Sequence, residues 1–236
     1  MKTNSLDFDA QALRDKILDL AMRGKLVEQN PDDEPASVLL EKIKDEKERL
    51  IKEKKIKKSK DLPPISDGEK PFDIPDSWEW VRLGEILKPE IHKKPIKHFT
   101  YIDIASINNQ SNKVTNPTRI NINKDKIASR ARQQLDNSDI LFSVVRPYLK
   151  NIAMVPNNAE YKVGTTGFYV LKPFSLIDRE YIFYLVLSKY VIKNMTRKMK
   201  GDNSPSIRKG DLQGLIIPFP PLEEQSRIFY STIRKT

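Results

Sequence analysis

The chain has 236 residues, 38% hydrophobic and 31% charged, with no cysteine and a formal net charge of +10. That composition is too apolar for a disordered chain, yet so charged that something long and solvated must accompany any compact core. Without cysteine there is no disulfide framework and no thiolate metal site, and the basic excess points to a polyanionic partner.

The excess is unevenly placed. Residues 1–70 carry 16 Lys+Arg and 16 Asp+Glu and are neutral, whereas residues 71–236 carry 26 and 16 and hold all of it. The apolar run of the clearest helical segment, Tyr181 to Leu187, is far short of a membrane span, and the N-terminus lacks the apolar core of a signal peptide. A soluble cytoplasmic protein with no membrane partner is expected.

In chain order, Asp7 and Asp9 are candidate caps for a first helix through Arg23, with Gly24 placed to end it. Leu13, Ile17, Leu20 and Ala21 share one face. After the turn Asn30-Pro31-Asp32-Asp33, Pro35 fits the first turn of a second helix, about 35–57. That helix has a thin apolar stripe, Leu39 or Leu40, Ile43, Leu50 and Ile51, on an otherwise charged surface. It is expected to be a solvated arm or half of a helix pair. Its predicted length of roughly 35 Å is near one turn of B-DNA.

Lys57 to Pro75 reads as a Pro-rich linker. Strands are then predicted at 79–83, 100–107, 139–146, 151–155, 168–172 and 214–219, with one helix at 179–199 capped by Asp178. A last helix starts after Pro220-Pro221. The stretch Asp139–Val155 reads as two strands around a turn at Arg146-Pro147 that carries Arg146, Tyr148, Lys150 and Asn151. This is either a hairpin with a polar tip or a scaffold presenting nucleic-acid contacts.

Catalytic signatures are lacking. His92 and His98 flank a Lys-Pro loop without acidic ligands, and the glycines form no phosphate loop. Pro31-Asp32 with Asp45-Glu46-Lys47 has the spacing of a metal-nuclease motif, but Asp45 and Lys47 fall inside the polar helix, so the match is compositional. Asn116-Pro117 is followed by Thr118 rather than the Pro-aromatic pair of an adenine methyltransferase loop. No catalytic residue, metal or cofactor is expected. What stands out is a cationic segment: Lys193, Arg197, Lys198, Lys200, Arg208 and Lys209 set six positive charges against Asp202 in 17 residues around a Gly/Asn/Ser/Pro loop, which suits a phosphate backbone.

Long motifs add a resemblance. Leu13 to Val27 with Asp33 to Leu40, Pro71 to Gly84, Val145 to Asn151, and Pro218 to Ile228 resemble the conserved regions of type I restriction–modification specificity (S) subunits. The resemblance implies an α+β chain: a helical arm and linker over 1–70, a mostly β target recognition domain over 71–219, and the start of a spacer helix over 220–236. It also implies a non-catalytic subunit that reads one half of a bipartite site on double-stranded DNA and assembles with methyltransferase and restriction subunits. With one recognition domain rather than two, a half-size subunit acting as a homodimer is expected, associating through helices that carry Leu13, Ile17, Leu20, Leu39, Ile43, Leu50 and Ile228.

On that basis Lys198, Lys200, Arg208 and Lys209 are expected on phosphates, and Arg146, Tyr148, Asn203 and Ser206 near the groove. Lys150 and Asn151 belong to the shared frame, in which Arg146 braces the loop or holds phosphate. Sequence-specific contacts are expected in Asn108–Arg132, which carries Arg119, Lys124, Arg130 and Arg132. The alternative is a decoy that captures methyltransferase subunits without reading DNA.

Overall fold

The computed structural model describes residues 9–235, with side chains through Thr232 at the C-terminal end. Helix α1 spans Ala10–Met22. Asp9 caps it by accepting the Ala12 N–H at 2.9 Å; Asp7, the other candidate cap, lies outside the described residues. Gly24, at φ 65°, turns the chain after the helix, and a Cβ there would meet Pro75 Cγ at 2.4 Å. Both the left-handed conformation and the close approach require glycine.

Helix α2, Ala36–Lys52, is shorter than the expected 35–57. Lys54 takes a positive φ of 56°, and Lys55 N–H closes back onto Leu50 O at 2.9 Å, which ends the helix. Seventeen residues reach about 25 Å, so the match to a turn of DNA lapses. Nor is α2 a free arm. Ala36, Leu39 and Ile43 are buried in the cluster that holds Trp78, Val81 and Phe174. Its polar face is tied down as well, since Glu46 accepts from Ser175 Oγ at 2.8 Å.

Eleven strands follow among the described residues. Strand β1 is Glu79–Arg82, β2 Phe99–Ile102, β3 Ile107–Asn108, β4 Lys113–Val114, β5 Thr118–Ile120, β6 Ala131–Leu135, β7 Ile140–Ser143, β8 Ile152–Met154, β9 Lys162–Thr165, β10 Phe168–Leu171 and β11 Ile216–Phe219. They form a five-stranded sheet in the order β10-β7-β8-β4-β3, a four-stranded sheet in the order β5-β2-β9-β6, and the antiparallel pair β1-β11. The stretch read as a hairpin is one, with β7 antiparallel to β8. Ile140 and Phe142 face the large cluster shared with the helices, and Leu141 faces a second cluster with Ile102, Leu135 and Phe168. Covered on both faces, β7 has a continuous apolar sequence rather than an alternating one. Gln133 on β6 bridges the two sheets, donating to Thr165 O and Phe168 O.

The single helix expected at 179–199 is two, α3 (Arg179–Leu187) and α4 (Lys189–Lys198). Ser188 between them is extended, and its hydroxyl accepts the Val191 N–H at 3.3 Å, starting a new helix where the apolar pattern runs on. A short helix α5, Lys209–Gln213, precedes β11. Residues 63–69 are pinned by Arg82, 5% exposed, which donates to Pro63 O, Pro64 O, Gly214 O and the Glu69 carboxylate.

Helix α6, Leu222–Lys235, docks by side-chain bonds. Glu224, 1% exposed, accepts from Trp78 Nε1 at 2.8 Å and Gln29 Nε2 at 2.5 Å. Burial pushes its carboxyl above the usual 4.5, against the opposing pull of those two donors. The folded state therefore holds this proton more tightly than the unfolded chain. The associated stability is fully present below pH 4.5 and is lost as pH rises through the raised value.

Two outcomes are expected. Ile43→Ala costs about 2–5 kcal/mol in urea unfolding, as for a buried core residue rather than an arm. Glu224→Gln removes its share of the pH dependence, so its stability relative to the parent improves from pH 4.5 toward pH 8 in thermal melts.

Candidate nucleic-acid interface

The turn Arg146–Asn151 is held from three sides. Arg146 and Lys150 both adopt left-handed conformations, at φ 47° and 52°, around a short 3-10 turn, Pro147–Leu149, that packs on α4. Arg146 Nη2 donates to Asn203 O at 2.8 Å, and its backbone N–H donates to Pro205 O at 2.9 Å. On the other side, Asn109 Nδ2 donates to Leu149 O, and Asn112 Nδ2 to Lys150 O and Ile152 O. Lys150 Nζ lies 3.7 Å from Asp15 of α1, a carboxylate also paired with Lys189 at 3.0 Å. Two non-glycine residues at positive φ persist because the surroundings over-determine them.

A closed circuit of contacts joins five segments around this turn. Val144 N–H donates to Gly167 O, and Thr166 N–H to Arg130 O, at 3.0 Å each. Lys93 N–H donates to Arg132 O at 2.8 Å, so residues 91–93 run along β6. Glu90 at the head of that segment accepts from Lys209 Nζ at 2.7 Å, and Ile207 N–H returns to Val144 O at 2.9 Å. Lys93, Lys94, Arg130, Arg132, Arg146, Lys200 and Arg208 are all exposed on these segments. Glu90 also accepts the Val170 N–H at 2.8 Å, occupying the outer edge of β10.

The expected residues therefore divide. Arg130, Arg132, Arg146, Lys200, Asn203, Ser206, Arg208 and Lys209 come together, with Lys198 nearby at the end of α4. Lys209 arrives neutralised by Glu90, which weakens its value to a phosphate. The span 108–132 includes β4, β5 and the start of β6. Arg119 on β5 sits at the opposite edge of the four-stranded sheet from β6, roughly 14 Å away at about 4.8 Å per strand, and Lys124, whose N–H donates to Asn121 O at 3.0 Å, lies in the turn that follows β5. Arg119 is also paired with Glu160 at 2.7 Å, so this edge is separate from the basic circuit.

Tyr148 and Lys150 line a different feature, a cleft of about 670 Å³ shared with Arg14, Asn112, Phe183 and Tyr184. Asn151 contributes its carbonyl to Ser143 N–H at 3.1 Å, inside the hairpin. Lys93 and Lys94 stand between the two histidines with no periodic signal in the sequence, and only the pairing of residues 91–93 with β6 sets them beside Arg132. Of the expected helix contacts, Ile17, Leu39, Ile43 and Ile228 are buried within the chain, Leu20 and Leu50 are half-buried, and Leu13 is 37% exposed.

Arg146→Ala is expected to cost no more than about 1.5 kcal/mol, because Asn203 O can turn to water. The measurable change is faster amide hydrogen exchange at residues 201–206, with protection of β7 unaltered.

The comparisons with known proteins agree with this architecture. Residues 75–230 match the family described as the type I restriction modification DNA specificity domain. The chain is 37% identical over 229 residues to the EcoAI specificity subunit and 33% identical to the EcoEI specificity subunit, both of Escherichia coli. Each match covers 94% of this chain and 38% of the relative. It also resembles the crystal structure of the HsdS subunit from Thermoanaerobacter tengcongensis, with a TM-score of 0.62 and 36% identity over 69% of this chain and 43% of that one. The chain thus spans about two fifths of the length of the curated relatives it matches. By fold and by sequence over most of its length, the chain belongs to the type I restriction–modification DNA specificity family.

Proposed function

We propose that this chain is a DNA-specificity subunit whose recognition domain, residues 71–219, reads one half of a bipartite site on double-stranded DNA. One observation carries the reading: cations scattered between residues 93 and 208 are brought onto one circuit of segments, in the part of the chain that holds the whole net charge. Such a surface engages phosphates and orients the domain, while neighbouring polar groups read base edges. Lys198, Lys200, Arg208, Arg130 and Arg132 serve the backbone. Asn203 and Ser206, on the loop held by Arg146, face the groove. Arg146 itself acts first as the strut of that loop.

The helical parts, residues 1–70 and 220–236, serve assembly with methyltransferase and restriction subunits, which carry the catalytic steps. Two copies associate through α1 and α6, and two-fold symmetry makes the bipartite site palindromic. Because much of the expected helix face is used inside the chain, this contact relies on Leu13 and its exposed neighbours.

Selection from randomised DNA, with and without the methyltransferase partner, tests the reading: an enriched split motif is expected, and partner binding without enrichment would leave a decoy instead. Replacing Lys200 or Arg208 by Gln should reduce the slope of log K against log salt by about 0.9 each, with the selected bases unchanged. Light scattering that shows only monomer at micromolar concentration, with and without DNA, would remove the homodimer.

A further inference from the structure

Where α6 joins the recognition domain, four consecutive side chains bond to separate parts of the chain. Glu224 takes Trp78 Nε1–H and Gln29 Nε2–H on its two oxygens. Gln225, with no exposed surface, accepts the Asp178 N–H at 3.1 Å and donates to Pro220 O at 3.0 Å. Ser226 Oγ donates to the Asp178 carboxylate at 3.1 Å, and Arg227 forks onto Asp33, with Nη1 at 3.0 Å. One turn of helix is thus tied to the α1–α2 connection, the entry to β1 and the start of α3.

Apolar packing alone would let a helix rotate or slide at little cost, since hydrophobic contact is non-directional. Directional bonds to three separated segments leave one tilt and one rotation. The choice of groups is informative. A buried carboxylate is a poor source of stability compared with apolar side chains of similar volume, and its best-attested use is to select one arrangement. Burial indeed disfavours the charged form of Glu224.

We propose that Glu224, with Gln225 and Arg227, is a positioning group that sets the direction in which α6 leaves the recognition domain. Through that direction it sets the distance between the bases this domain reads and those read by a second domain joined through α1 and α6. The inference rests on the DNA-specificity reading above.

The test has two arms. The chain lacks cysteine, so Asn157→Cys on the recognition domain and Tyr230→Cys on α6 accept spin labels at exposed positions, measured after dilution into unlabelled protein. A single narrow distance is expected for the parent and for Glu224→Gln, and a broadened one for Glu224→Ala and Arg227→Ala. Arg227 is partly exposed, so its variant decides the matter if Glu224→Ala does not fold. In selection from randomised DNA with the methyltransferase partner, the same two variants should keep the half-site bases and accept a wider range of gap lengths. Distances that stay narrow in both variants overturn the proposal, as does broadening with the gap length unchanged. If the parent enriches no motif, the DNA-specificity reading fails, and the label distances still decide whether the clamp fixes α6.

Discussion

Strand β7 is buried on both faces, and that burial governs the arrangement of the rest. Ile140, Leu141 and Phe142 have no exposed surface, and Ser143 has 1%. Four consecutive residues can be so enclosed only if helices cover one face of the strand and a second sheet covers the other. Each large apolar side chain contributes about 1.5–3 kcal/mol by leaving water, so little near this strand can shift without exposing it. The ends of β7 are consequently fixed points. At one end Asp139, 4% exposed, pairs with the buried Lys172, and burial raises its carboxyl pKa against the pull of that ammonium. At the other end the chain emerges as Val144–Arg146, the hub of the basic circuit.

From that fixed end, charge is gathered by backbone pairing rather than by sequence proximity. The β9–β10 turn, the edge of β6 and the 200–207 loop are each hydrogen-bonded to a neighbour in the circuit, so cations more than a hundred residues apart share one surface. Cation count alone misjudges that surface. Lys209 is neutralised by Glu90 and Arg119 by Glu160, and Lys150 faces Asp15 across the cleft side of the turn. The remaining exposed cations suit a phosphate backbone, whose attraction is strong and carries no base information by itself.

The helical segments are integrated rather than appended. Residues of α1, α2 and α6 enter the same cluster as Trp78 and Phe174, and polar contacts at Glu224–Arg227 add direction to that packing. Apolar burial supplies the stability, and the buried polar groups choose one geometry among several that packing would accept.

A good deal is legible in the sequence. It marked the β7–β8 hairpin through its apolar runs and Arg-Pro turn, the caps at Asp9, Asp178 and Gly24, the location of the net charge, and the family through long motifs. These are legible because they depend on local steric and hydrogen-bonding preferences or on contiguous residues. It missed the break at Ser188, because an apolar pattern continuing through a capping residue reads as one helix. It missed β4, β5, β6 and β9, which become strands only by pairing with partners elsewhere in the chain. The assembly of the basic face, with Lys93 and Lys94 in and Arg119 out, was decided by tertiary structure alone. Sheet register and strand order, which have no local signature, determine which exposed cations are neighbours.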